Sequence, residues 1–183
     1  MEPARGAVGF TLIELLVMIA VMAVMLAVAA PNLTDMMVRS QLEAQANAFL
    51  SAVHLTRNEA VKRNARVVLC KSATGSSCDM SGGWEKGWIV FHDMNNNAAV
   101  DAGEMLIQRQ QELPSNFLLK GNAPVSKYIS YTSIGMAKLS SGAFQAGTLT
   151  LCRLSSDGGE ARKIIISTTG RPRIEETTVA SCM

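Results

Sequence analysis

Between Phe10 and Ala30 the chain is apolar except at Thr11 and Glu14, and from Leu15 to Ala30 every residue is apolar. As a helix this stretch would be roughly 32 Å long, about the thickness of one bilayer core. After Pro31 the pattern loosens to a three- to four-residue step. Leu42, Ala46, Phe49, Val53 and Ala60 fall on one helical face, widened by Leu50 and Val61. The spacing predicts one long helix over residues 10–64, bent at Pro31. From Arg66 onward the pattern becomes short β-rich runs at residues 66–70, 87–91, 106–109, 117–119, 128–132, 149–153 and 163–167. Clusters such as Gly82-Gly83, Asn95-Asn96-Asn97 and Asp157-Gly158-Gly159 separate them. One long helix followed by several short antiparallel strands is an α+β layout, with residues 10–30 as an apolar span and 31–183 as the globular part.

Composition changes this picture little. The chain has 183 residues, 17 basic and 15 acidic side chains and a net charge of +2, so bulk charge does not make it a nucleic-acid binder. Its basic excess is local. Residues 39–71 hold Arg39, Arg57, Lys62, Arg63, Arg66 and Lys71 against Glu43 and Glu59, a placement that reflects topology or solubility next to an apolar segment.

Three readings of the N-terminus compete. A secretory signal could be cleaved near Ala27-Val28-Ala29, or the segment could be a plain membrane anchor, but both leave Glu14 inside the apolar run. A carboxylate there costs about 3 kcal/mol on insertion scales. In the third reading the chain is cut between Gly9 and Phe10, and the new amine of a neighbouring copy meets Glu14.

The run Gly9-Phe10-Thr11-Leu12-Ile13-Glu14, with Pro31 22 residues into the cut chain, resembles the class III leader junction of type IV pilins and type II secretion pseudopilins. Arg57 to Asn64 with Val67 to Cys70, and Gly87 to Asp93 with its polar loop and Gly103-Glu104, resemble the FimT/GspH branch of minor pilins. The resemblance implies a leader peptide at 1–9, removed by a prepilin peptidase, and methylation of the Phe10 amine. It also implies a single-pass inner-membrane precursor with a periplasmic C-terminal domain, other pilins as filament partners through Glu14, and a pilin-like fold of a helix on an antiparallel sheet.

Four cysteines in an exported chain point to disulfides. Of the three possible pairings, Cys70–Cys78 and Cys152–Cys182 are favoured: the first closes a loop rich in Gly and Ser, and the second pins a tail that would otherwise fray. Asp93, Asn95, Asn97, Asp101 and Glu104 fit positions 1, 3, 5, 9 and 12 of a calcium loop, but position six is Ala98 and a strand follows Glu104. A bare polar hairpin loop is the favoured alternative, so calcium is a weak candidate and no cofactor is expected.

The tail carries Gly170-Arg171-Pro172-Arg173, two arginines on a stiffened extended segment. FimT-like pilins of DNA-uptake machines carry a similar element, and the resemblance implies that Arg171 and Arg173, helped by Lys163 and Arg162, contact double-stranded DNA. The competing reading is a solvated turn, weakened as a positive site by Glu175 and Glu176. No nucleophile elbow, phosphate loop or dinucleotide fingerprint is present, and His54 and His92 are isolated, so no enzymatic chemistry is expected. Trp84, Trp88 and Phe91 read as packing residues. The remaining alternative is a GspH-like pseudopilin of a type II secretion system, with a purely structural assembly role.

Overall fold

The computed structural model describes residues 9–183; residues 1–8, and the side chains of 27–35, lie outside the described set. The expected leader and the expected bend at Pro31 therefore fall outside it. The elements are α1 (Leu12–Arg63), β1 (Val67–Lys71), β2 (Trp88–His92), β3 (Leu106–Gln110), β4 (Phe117–Gly121), β5 (Tyr128–Tyr131), β6 (Gly147–Arg153), β7 (Gly159–Ile166) and β8 (Pro172–Val179). Two compact units divide the chain, residues 1–40 and 41–183.

In the first unit, α1 begins with a reciprocal cap. Glu14 Oε2 accepts hydrogen bonds from the Thr11 amide at 2.9 Å and the Thr11 hydroxyl at 2.8 Å, and Thr11 Oγ1 accepts from the Glu14 amide at 3.4 Å. A T-x-x-E pattern satisfies amides that the first helical turn leaves without carbonyl partners. Every side chain from Phe10 to Leu26 is exposed. Among the described residues no helix is long and apolar enough to cross a membrane, and positions 27–30 of the expected span lie outside the described side chains.

In the second unit, α1 buries Leu42, Ala46, Phe49, Val53, Thr56 and Ala60, at alternating steps of four and three residues. Ala52 widens the stripe, and Leu50 packs against its edge. Val61, expected on that face, is 52% exposed instead. Thr56 can be buried because its hydroxyl donates back to the Ala52 carbonyl at 2.7 Å. The helix stops at Asn64, which takes φ 52°. The Ala65 amide then reaches the Ala60 carbonyl and the Asn64 amide the Val61 carbonyl, each at 3.2 Å, which satisfies the last turn.

Phe49 is the centre of the core. Its ring meets Trp84 edge-on at 5.2 Å and Trp88 at 5.0 Å, so both indoles are packing residues. Burying one such ring stabilises the fold by about 3 kcal/mol. Trp84 Nε1 donates to the Val125 carbonyl at 3.0 Å.

The strands form two four-stranded antiparallel sheets where one had been expected, ordered β3-β2-β1-β5 and β4-β6-β7-β8. Val67, Leu69, Trp88 and Val90 of the first sheet join the same core as Phe117, Leu119, Leu149, Leu151, Ile164 and Ile166 of the second. Seven strands coincide with predicted runs. The eighth, β8, lies where the sequence predicts only an extended tail, because Ile174 is the one residue of its Arg-Ile-Glu-Glu-Thr-Thr centre that packs on the core.

Candidate nucleic-acid interface

The two expected arginines belong to the hairpin that joins β7 to β8. Five residues, Ser167 to Arg171, make its turn. The Gly170 amide donates to the Ser167 carbonyl at 2.8 Å, the Ser167 amide to the Arg171 carbonyl at 3.1 Å, and the Arg171 amide to Ser167 Oγ at 3.1 Å. Gly170 has φ 77°, and a Cβ there would stand 2.8 Å from the Gly135 carbonyl oxygen and 2.9 Å from the Ala137 amide nitrogen. Its own carbonyl accepts from the Tyr131 hydroxyl at 2.8 Å. Burial holds the Tyr131 phenol far above its usual pKa, so it stays a donor. The backbone under Arg171 is therefore fixed by the core, although its side chain is exposed.

Side-chain parity sorts the four basic candidates. In β7, Ile164 and Ile166 face the core together with Ile174 of β8, so even-numbered residues of both strands point inward. Lys163 and Arg173 are odd and share the outer face. Lys163 stands opposite Glu175 and Arg173 opposite Ile165, which makes the two bases diagonal neighbours roughly 7 Å apart at Cβ. Arg173 remains 62% exposed and lies 3.3 Å from Glu175. Among the described residues, neither Lys163 nor Arg171 has an acidic partner within ion-pair distance.

Arg162 departs from its expected place. Even parity turns it inward, where its side chain is 2% exposed. Its guanidinium lies 3.7 Å from Glu160 and 3.6 Å from Glu176, and Nη1 donates to the Ala161 carbonyl at 3.1 Å. A cation buried on the inner face cannot meet a phosphate on the outer one, so Arg162 is a structural residue. Lys120, which is not among the sequence-predicted residues, lies on that outer face instead. It is exposed on the outer face of β4, opposite Thr150, which in turn stands opposite Lys163. The alternation Phe117-Leu118-Leu119-Lys120, with Phe117 and Leu119 buried, was the available signal.

The loop from Asp93 to Glu104 spends its polar groups on itself. Buried Asp93 accepts from the Asn97 amide at 3.1 Å and the Ala98 amide at 3.0 Å. Asp101 Oδ2 accepts from Asn95 Nδ2 and Asn97 Nδ2, both at 2.7 Å. Glu104 accepts from the Met94 amide at 2.8 Å and the Asp101 amide at 3.0 Å. Ala98 takes φ 59°, the turn that a calcium loop assigns to glycine. The carboxylates nevertheless serve amides of the loop, backbone ones for Asp93 and Glu104 and side-chain ones for Asp101, and among the described residues no group of three His, Cys, Asp or Glu side chains could hold a metal ion. His54 is exposed on α1 and His92 half-buried at the end of β2.

Cys70 is bonded to Cys78 and Cys152 to Cys182, and no cysteine is free. The second bond ties the C-terminal segment to β6 beside the basic hairpin, and Lys120 Nζ donates to the Met183 carbonyl oxygen at 2.6 Å.

The family model described as "Type II transport protein GspH" matches residues 45–170, from the buried half of α1 to the hairpin glycine. "Pilin-like protein PilA1" of Thermus thermophilus is 30% identical over 170 residues, covering 91% of this chain and 97% of its own length. In fold, the chain is similar to the type IV minor pilin FimU of Pseudomonas aeruginosa, with TM-score 0.59 and 18% identity, over 79% of this chain and 97% of that one. The minor pseudopilin EpsH from the Type 2 Secretion System of Vibrio cholerae shares the fold at TM-score 0.50 and 12% identity, over 74% and 96%. With its α1 stripe, two sheets and closing hairpin, the chain belongs to the GspH family of pilin-like proteins.

Proposed function

We propose that the protein is a FimT-like minor pilin, incorporated in or at the tip of a type IV pilus, which contributes to pilus assembly and binds double-stranded DNA for uptake. The hairpin carries this reading: Arg171 on a pinned turn, with Lys163 and Arg173 side by side on the adjoining outer face. Phosphate contacts from such a row position a duplex without reading its sequence. The same proposal covers biogenesis. A prepilin peptidase cuts between Gly9 and Phe10, the Phe10 amine is methylated, and residues 10–30 hold the chain in the inner membrane with residues 31–183 in the periplasm. The exposed apolar face from Phe10 to Leu26 is then covered by lipid and later by neighbouring pilins, with Glu14 meeting a neighbour's amine. No catalytic step is part of this role.

The second reading is a GspH-like pseudopilin that primes a secretion pseudopilus without a ligand. The Arg173–Glu175 pair favours it, because an acid beside the arginine reduces the positive field. The test is a titration of duplex DNA against the full chain in neutral detergent at several salt concentrations. Binding that weakens with salt, and a log–log slope about 1.8 shallower after Arg171→Gln with Arg173→Gln, supports DNA capture. Absence of salt-dependent binding at low ionic strength leaves the structural reading.

A further inference from the structure

A second concentration of positive charge lies away from the hairpin, in a cleft of about 460 Å³ beside the end of β4. Lys71, Lys120 and Lys127 line it with a single acid, Glu85, and its walls include the backbone of Gly82, Gly83 and Gly121. Lys71 ends β1 and is 4% exposed. Its amide donates to the Lys127 carbonyl at 3.3 Å, which holds the two lysines side by side. The Lys71 ammonium donates one hydrogen bond to the Gly82 carbonyl at 2.7 Å.

The acids nearby are already engaged. Glu85 Oε2 accepts from the Leu119 amide at 3.2 Å, and Asp79 Oδ2 accepts from the Ala73 amide at 2.5 Å. Burial lowers the pKa of Lys71; Glu85 and Asp79 oppose that shift, and Lys127 adds to it. A largely buried ammonium beside a second lysine is the arrangement that an incoming oxyanion relieves. Of the three glycines, Gly82 leaves its Cβ side open to an incoming group, whereas that side is filled by the Glu85 carboxylate at Gly83 and by the Val125 carbonyl at Gly121.

Position supplies the identity of the anion. Lys120 stands both at the lip of the cleft and on the outer face of the second sheet. Thr150 and then Lys163 follow it across that face, with neighbouring strands about 4.8 Å apart. We infer that the cleft seats a backbone phosphate of the bound duplex, so that the contact track runs from Arg171 and Arg173 through Lys163 and Lys120 to Lys127 and Lys71. This rests on the DNA-binding reading above and enlarges its footprint beyond the hairpin. A free phosphate ion has the same chemistry, and the test separates the two sources.

The experiment titrates duplex DNA against the full chain in neutral detergent, comparing wild type with Lys120→Gln/Lys127→Gln, Lys127→Glu and Arg171→Gln/Arg173→Gln. Lys62→Gln, on α1, controls for general basicity. The lysine pair is expected to weaken binding and flatten the salt slope by about 1.8, as the arginine pair does, while Lys62→Gln leaves it unchanged. Lys127→Glu should weaken it further. Lys71→Met serves as a second cleft variant once its denaturation midpoint shows that it is folded.

If wild type binds and the arginine pair weakens it while every cleft variant binds as wild type, the cleft is overturned and DNA capture stands. If wild type does not bind, both fall. In a parallel arm, inorganic phosphate is titrated while the Gly82 and Gly83 amide resonances are followed. Shifts with phosphate, together with DNA binding that cleft variants do not alter, would make the cleft a small-anion site and overturn its place in the track.

Discussion

The loop from Asp93 to Glu104 and the β7–β8 hairpin are both polar turns rich in charged side chains, and they spend that polarity in opposite ways. In the loop, Asp93, Asp101 and Glu104 are consumed by amides of the same dozen residues. In the hairpin, the Ser167 hydroxyl, the main chain and the Tyr131 hydroxyl complete the turn, so Arg171 and Lys163 remain available to a partner. A ligand site needs groups left over after local structure is satisfied. Density of charge in the sequence does not distinguish the two cases.

The sharpest break in this comparison is Asp93→Ala. Two amides would lose a buried, charged acceptor, and at about 1.5–3 kcal/mol each the expected loss is about 4 kcal/mol in chemical denaturation. Arg171→Gln should change stability by less than about 0.5 kcal/mol in the same assay. Equal losses would erase the distinction between the two turns. Within β7 the contrast repeats between neighbours. Arg162→Gln removes a buried cation from between two glutamates and should cost about 2 kcal/mol with no change in the salt dependence of DNA binding, whereas Lys163→Gln should do the reverse.

Gly170→Ala should cost about 1–3 kcal/mol, because it adds a Cβ at φ 77° against the Gly135 and Ala137 backbone. It should also weaken DNA binding at unchanged charge, through displacement of Arg171. Unaltered binding would mean that the turn need not be rigid. The smallest effect expected is that of calcium. Added to the folded chain it should move Tm by less than about 1 °C, and a rise of several degrees would show that the loop can release its carboxylates.

The legibility of the sequence follows the same division. The α1 stripe and seven strands were readable because periodicity is local and the core enforces it, as at Leu42, Phe49 and Val53. Thr11 and Glu14 also spell a helix cap, a local pattern that the acid's place in an apolar run obscures. The role of Arg162 was not readable without β8. Its parity has meaning only once Ile164 and Ile174 are known to face the core together, and β8 itself offers too little apolar alternation to announce a strand. The split into two sheets, and the meeting of Lys71, Lys120 and Lys127, depend on contacts between segments far apart in the chain.

The bond between Cys152 and Cys182 has a mechanical consequence. β7, the turn and β8 all lie inside the covalent loop it closes, so Lys163, Arg171 and Arg173 sit on a tethered lasso. In the proposed role, tension on DNA held at the hairpin would pass through sulfur as well as main chain to β6, next to the middle of its sheet, so the C-terminal end could not be drawn out as a free strand. Without the bond, the main chain from Cys152 to Arg173 could pay out about 70 Å under load; with it, the shorter arm from Arg173 to Cys182 limits that to about 30 Å. With the bond closed, the hairpin would hold or release a ligand at less than half that extension.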